Sequence, residues 1–481
     1  MGIFIFFVCA FILTLDILGK INVMGRIPRF LCMLFLPQVI ILCGAAAKAG
    51  KHGILSFPGF ASAGIVLLYA YLLVRIHLFP VRRVASCTRR IKILLGGKII
   101  LSCSLWGFLM QGIFYILLFT GHLSPLDRLF AGSPLLYTIN VIHSISFLFL
   151  ILLNGQARIL FTCYRLGIVR RLLIVLNLWI PFINLFLMHY LGKKAAEECD
   201  HEMCRFSNRA ARANSNQCAT KYPLVMLHGI GFRDLRYFNY WGRIPKELTR
   251  NGAVVYYGHQ EAWGTIEENA AFVQHKIEEI LAIEHCEKVN IIAHSKGGLD
   301  ARYLITHLHM EQQVASLTTV STPHMGSELL LILNRIPDRI YRLISSRFDS
   351  AFRKIGDCHP DCYHASKQLS PEFCRQFNQA TPNSDSVYYQ SYASVMGHCW
   401  SDSLLSIPHL FMSLVSHGKP NDGLVTEDSA KWGIFKETFQ NKYRRGISHG
   451  DMIDLKREDY KGFDVIETYV DIVTDLKNMG F

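Results

Sequence analysis

Six long apolar runs crowd the first 191 residues: Gly2–Ile17, Phe30–Ala46, Ala61–Phe79, Ile99–Thr120, Leu135–Leu153 and Leu172–Leu191. Only two acids, Asp16 and Asp127, occur before residue 190, against 17 lysines and arginines. About 20 apolar residues are needed for a helix to cross a ~30 Å hydrocarbon core. A buried core helix accounts for any one such run, but not for six in succession almost free of acids. The pattern predicts an all-α, polytopic membrane domain over residues 1–191. It has six spans, or five if the first run is the core of a signal peptide.

The overall charge of +13 does not point to nucleic acid. All of the excess sits between the apolar runs; the rest of the chain has 33 basic and 35 acidic residues. Read as topology, loops one, three and five hold 14 basic residues and loops two and four hold three. Lys20, Arg26 and Arg29 lie in the first, Arg75 through Lys98 in the third, and Arg158 through Arg171 in the fifth. Basic loops stay cytoplasmic, so six spans place everything after Leu191 outside the cytoplasm; Lys193 and Lys194 weigh the other way. The expected location is the cell membrane, with an extracytoplasmic C-terminal domain. Asp16, Asn140 and His143 are the polar residues within the runs that invite a functional question.

Residues 192–220 form a polar linker, and the pattern then changes. Over residues 221–481, short apolar runs at Leu224–Leu227, Val254–Tyr257, Val289–Ala293 and Leu317–Val320 alternate with amphipathic stretches. Ile266–Ile283 carries apolar residues at helical spacing. Strands alternating with helices predict a mainly parallel α/β sheet.

Four segments of this half carry chemistry. Val289-Asn-Ile-Ile-Ala-His-Ser-Lys-Gly-Gly298 runs a strand into a small-x-Ser-x-Gly turn, and Leu299–Leu308 follows as a helix. That is the setting of a nucleophile elbow, in which a strained turn lifts Ser295 clear of the sheet. Ala293 stands where a first glycine is usual. Leu224-Val-Met-Leu-His-Gly-Ile-Gly-Phe232 ends a strand in His228-Gly229; the N–H groups of Ile230 and Lys296 are the expected oxyanion donors. Asp422, in Asn-Asp-Gly, is the expected orienting carboxylate, and His449, in Ser-His-Gly-Asp, the general base. The order Ser295…Asp422…His449 is that of the α/β hydrolases. His228, His294, His398 and His417 are less well placed to serve as base.

From Tyr222 to about Ile472 the chain resembles the bacterial triacylglycerol lipases, the calcium-binding secreted members of the α/β-hydrolase superfamily. The resemblance rests on Tyr240-Trp-Gly-Arg-Ile-Pro-Lys-Glu-Leu248, Asn251-Gly-Ala-Val-Val-Tyr256, the elbow, Ser321-Thr-Pro-His-Met-Gly-Ser327, Asn421-Asp-Gly-Leu-Val425, Ser429-Ala-Lys-Trp-Gly433 and the His449-x-Asp ending. It implies a lid-bearing serine ester hydrolase acting on lipid or other acyl esters. It also implies a structural Ca2+ bound by Asp451, two residues after the histidine, and by Asp402, some twenty before Asp422. The first 191 residues have no counterpart in those lipases.

Between Ser327 and Leu369, Ile340, Ile344, Phe348, Phe352 and Ile355 share one helical face, with Arg339, Arg342, Arg347, Arg353 and Lys354 on the others. Such a helix suits a lipid–water interface; a core-packed surface helix is the alternative. Cys358-His-Pro-Asp-Cys362 beside His364 is compatible with a local disulfide or a metal site. Two rival functions fit the same sequence. One is a membrane scaffold or transport-like protein with an inactive hydrolase-like domain. The other is a deacylase of proteins or thioesters on the same fold.

Overall fold

The computed structural model describes residues 2–20, 22, 24–49, 58–81, 88–123, 133–212, 216–233, 239–441, 443–460 and 462–481. Lys51, Arg82, Arg83, Asp127 and Arg128, used above for orientation, lie outside the described residues. The chain forms two compact units, Met1–Asn208 and Arg209–Phe481.

The described part of the first unit is helical. Three helices are long and apolar enough to cross a membrane, Phe60–His77, Arg89–Phe119 and Pro134–Thr162. They coincide with the third, fourth and fifth apolar runs. The other runs depart from single full-length spans for local reasons. The first is one helix, Gly2–Ile17; at 1.5 Å per residue its 16 residues rise about 24 Å. The second breaks into Arg26–Phe35 and Val39–Ala49 around a 3-10 turn containing Pro37. A proline cannot donate the helical N–H and crowds the preceding turn. The sixth breaks between Ile168–Asn177 and Pro181–Arg212, again ahead of a proline.

Polar residues of this unit meet one another. Asp16 is buried and accepts from Arg75 Nε at 3.1 Å and Tyr71 Oη at 2.6 Å. His143 bonds Tyr69 Oη at 2.7 Å, and Asn140 donates to Gln38 at 2.6 Å. Most of the expected linker continues the helix that starts at Pro181. Two of its acids meet one cation: Glu198 is buried and pairs with Arg90, and Glu202 is 3.1 Å from the same guanidinium.

The second unit is built on a six-stranded, wholly parallel sheet in the order β2-β1-β3-β4-β5-β6. The strands are β1 (Leu224–Leu227), β2 (Val255–Tyr257), β3 (Val289–His294), β4 (Val314–Val320), β5 (Tyr388–Ser394) and β6 (Ile434–Phe439). Strands β1, β3 and β4 are buried along their whole length, as expected of a sheet covered on both faces. Helix Ile266–Glu284 covers one face, packing Ala270, Val273, Ile277 and Ile280 on β1 and β3. Its start is fixed by a capping box between Thr265 and Glu268. Helix Val465–Asn478 covers the other face with Ile466, Tyr469, Val470 and Val473 against Trp241 and Met226. Each large apolar side chain so buried contributes ~1.5–3 kcal/mol. The fold is that of an α/β hydrolase, preceded by a helical region. In such sheets the carboxyl ends of the strands are where a site forms.

Candidate active site

Strand β3 delivers its last residue, His294, into a turn, and helix Gly297–His307 starts three residues later. Ser295 at the turn has φ +56°. A non-glycine residue in this left-handed region is strained, at a cost of order 1–3 kcal/mol. The surroundings explain why the two positions after Lys296 are glycines. A Cβ on Gly297 would lie 2.6 Å from His228 O, and one on Gly298 would lie 2.6 Å from Thr322 Cγ2. The helix therefore begins pressed against β1 and β4, and the serine is held at the sheet's carboxyl end.

Strand β1 ends beside it. A Cβ on Gly229 would fall 2.7 Å from Ser295 Cβ and 2.8 Å from Tyr240 Oη. His228 is pinned by its own ring, with Nδ1 2.8 Å from Gly229 O and Nε2 3.0 Å from Gln260 O. Gly231 N–H is used by Ala262 O at 2.8 Å. Neither Ile230 N–H nor Lys296 N–H donates to a described residue. Those two groups, in the turns after β1 and β3, are the ones named from sequence as oxyanion donors.

Asp422 and His449 come together at the same end. His449 Nδ1 is 2.8 Å from Asp422 Oδ2, and His449 N–H donates to Asp422 O at 2.9 Å. Asp422 Oδ1 accepts from the N–H groups of Leu424 and Val425 at 3.1 and 2.9 Å, and Ser394 Oγ donates to Oδ2 at 3.3 Å. An ionised carboxylate only accepts, so it fixes the proton on Nδ1 and leaves Nε2 as the basic nitrogen. The His449 ring lies against that of His294, the residue before Ser295, with centroids 4.4 Å apart. No Ser295–His449 hydrogen bond forms among the described residues. Such bonds are often long until substrate tightens the site.

Tyr240, Asp300 and Asn269 were not foreseen as supporting residues. Tyr240 Oη bonds His294 Nδ1 at 2.7 Å. Burial, with His449 beside it, holds the His294 imidazole well below the usual histidine range, so a neutral ring backs the site. Lys296 Nζ meets Asp300 Oδ1 at 2.6 Å with both side chains 1% exposed, and Asn269 donates to Asp300 Oδ2 at 3.3 Å. Burial raises the Asp300 carboxyl, while Lys296 and Asn269 pull it down. The four-residue spacing of Lys296 and Asp300 on a helix was the available signal.

The two carboxylates expected at calcium are buried and committed to cations of the chain itself. Asp402 Oδ1 accepts from Lys456 Nζ at 2.5 Å and from Leu404 N–H at 2.8 Å, and its Oδ2 accepts from Ser448 Oγ at 2.7 Å. Asp451 takes both arms of Arg445, at 2.5 and 3.1 Å, and Ser448 N–H at 2.9 Å. Calcium needs six to eight oxygen ligands, and this cluster supplies ammonium and guanidinium groups instead. The donor set as folded does not fit the ion, and no step of the chemistry is routed through it. Cys358 and Cys362 are both free thiols, and no group of three or more metal-ligating residues occurs among the described residues.

The expected amphipathic helix is Asp338–Ile355. Phe348 and Phe352 pack on Trp263, ring centroids 5.7 and 6.0 Å away, while Ile340 and Ile344 are exposed. Trp263 lies over Gly231, so this helix abuts the oxyanion turn. A second apolar surface was missed. Helix Ser406–Val415 exposes Ile407, Leu410 and Leu414, and Trp400 before it is 82% exposed. That helix leads directly into Asn421-Asp422.

A family profile described as a PGAP1-like alpha/beta domain matches residues 259–357. "Triacylglycerol lipase 2" of Saccharomyces cerevisiae is 32% identical over 268 residues, covering 52% of this chain and 77% of that protein. A "Triacylglycerol lipase" of Vibrio cholerae is 29% identical over 273 residues, 52% of this chain and 85% of its own. The crystal structure of Bacillus licheniformis lipase BlEst2 in mature form matches with a TM-score of 0.40 at 20% identity, over 53% of this chain and 92% of that one.

Proposed function

Since the chain belongs to the triacylglycerol lipase family of α/β hydrolases and is a carboxylic ester hydrolase, we propose that it is a membrane-anchored serine hydrolase of lipid acyl esters working through an acyl-enzyme. Ser295 attacks the ester carbonyl. His449 Nε2 takes the hydroxyl proton and returns it to the leaving alcohol, and Asp422 holds the ring in the required tautomer and stabilises the imidazolium. The N–H groups of Ile230 and Lys296 bind the oxyanion, and water then releases the acyl group.

The observation that carries this reading is Ser295 at φ +56° between β3 and its helix, with the His449–Asp422 pair at the same end of the sheet. Three helices long and apolar enough to cross a membrane support the anchoring. The exposed apolar faces of Asp338–Ile355 and Ser406–Val415 support substrates drawn from a lipid phase. With the sixth apolar run crossing in spite of its break ahead of Pro181, the basic-residue asymmetry supports an extracytoplasmic hydrolase unit.

A fluorophosphonate probe applied to the full-length protein in detergent should label Ser295. Ser295→Ala and His449→Ala should each lose ~10⁴-fold or more of the ester hydrolysis, and the double variant little more. Undiminished hydrolysis by Ser295→Ala overturns the assignment. External protease acting on intact cells should reach a tag after Phe481; protection until the membrane is permeabilised overturns the orientation.

A further inference from the structure

The loop carrying His449 is held by a device whose parts stand far apart in sequence. Ser448, directly before the histidine, is fully buried. Its N–H donates to Asp451 Oδ2 at 2.9 Å and its hydroxyl to Asp402 Oδ2 at 2.7 Å. Ser448 is thus clamped between two buried carboxylates, and each carboxylate carries its own cation. Lys456 Nζ sits on Asp402 Oδ1, opposite the oxygen that Ser448 uses. Arg445 forks onto both oxygens of Asp451, its guanidinium stacked 3.6 Å above the Tyr460 ring and its Nη1 donating also to Gly446 O at 3.0 Å.

One ammonium and one guanidinium match Asp402 and Asp451, and the half-buried Glu458, its carboxyl raised by burial, lies beside them. Two buried carboxylates facing each other across Ser448 would repel and hold the loop apart. A divalent cation would relieve this; so do one ammonium and one guanidinium. A bidentate guanidinium also fixes direction, which a spherical ion does not. The remaining lone pairs are used by N–H and O–H groups, as a buried ion pair requires if its desolvation is to be met. Little coordination capacity is left for a metal.

We infer that Lys456 and Arg445 are positioning residues for the catalytic histidine, bracing Ser448–His449 by an internal ion-pair cluster in place of a divalent cation, so that the hydrolase is calcium-independent. This rests on the catalytic role of His449 proposed above, and the experiment separates the two. Thermal unfolding of the full-length Ser295→Ala protein in detergent is followed with excess EGTA and with millimolar CaCl2; this readout needs no activity. The two curves should superimpose. Unfolding shifted down by EGTA and restored by calcium overturns the inference, whatever becomes of the hydrolase reading.

In the otherwise unaltered enzyme, Lys456→Met should lower kcat by about 10-fold or more with KM changed by less than about twofold, because a displaced histidine loses transition-state geometry while substrate binding stays. Lys456→Arg should recover most of the loss. Added calcium should rescue Lys456→Met in part, since the substitution frees Asp402, and should leave the unsubstituted enzyme unchanged. Wild-type kcat in Lys456→Met overturns the inference. Should that variant fail to fold, the EGTA comparison and Lys456→Arg decide, and an Arg variant that demands calcium for activity overturns it.

Discussion

Replacing Asp300 by asparagine tests whether the buried pair behind the nucleophile is ionic. Lys296 and Asp300 lie one turn apart at the start of the helix after Ser295, 2.6 Å from each other and 1% exposed. Asparagine keeps the shape and still accepts from Asn269, but it leaves the Lys296 ammonium buried without a counter-charge. Breaking one side of a buried pair typically costs ~3–5 kcal/mol. For a domain of this size that corresponds to roughly 6–20 °C in Tm. Replacing a buried ion pair by apolar groups of similar volume is often neutral or stabilising. Removing the charge with Lys296→Met in the Asp300→Asn background should therefore recover most of the stability. The assay is loss of esterase activity after timed heating, run as a double-mutant cycle. A cost below about 1 kcal/mol for Asp300→Asn, or a double variant no more stable than it, refutes an ionic pair.

Gly229→Ala should cut kcat/KM by ~10²–10³-fold or more, because its methyl presses on Ser295 Cβ and Tyr240 Oη beside the oxyanion donor; p-nitrophenyl ester kinetics read this, and near-normal turnover would mean that the loop has been misplaced. Acid should destabilise the hydrolase unit through His294 and His324, whose imidazoles burial holds well below the usual range. The unfolded chain binds protons below about pH 6.5 that the folded ring refuses, so stability is lost as pH falls, by about 1.4 kcal/mol per histidine at pH 5.5. His324→Gln should flatten the slope between pH 7.5 and pH 5.5 in thermal unfolding. Replacing Ile407, Leu410 and Leu414 together by serine should slow hydrolysis of a long-chain ester presented in vesicles, leaving a soluble short-chain ester within about twofold. Equal loss on both substrates would assign that face to folding.

What sequence made legible was what short-range pattern controls. Strand β1 matched residue for residue, and β3 and its helix to within two residues, because short runs rich in Val, Ile and Leu mark strands buried on both faces. Ser295, Asp422 and His449, the proposed triad, stood out by order and local context, and the structure pairs His449 with Asp422 and holds Ser295 in a left-handed turn after β3. Strands β5 and β6 were not. Tyr-Tyr-Gln-Ser-Tyr-Ala-Ser and Ile-Phe-Lys-Glu-Thr-Phe carry polar groups whose place in a sheet is decided by neighbours. Pro37 and the Pro181 boundary were visible, yet an apolar run was read as one span because hydropathy averages over a break.

The supporting chemistry was hidden for a different reason. Asp402 and Lys456 stand 54 positions apart, with Ser448 between them, and nothing in either segment refers to the other. A lone acid two residues after a histidine reads equally well as a metal ligand, a cap or a solvated loop. Only its partner decides, and the partner is chosen by the fold. The same holds for Tyr240 against His294 and for Ser394 against Asp422. A sequence announces the groups that must move protons, because their local backbone is unusual. The groups that hold them still are ordinary residues, made specific by long-range closure, so resemblance to a family points to the first kind by motif and to the second only where the same side chains meet. Here they do not: a lysine and an arginine occupy the carboxylates that the resemblance gave to calcium.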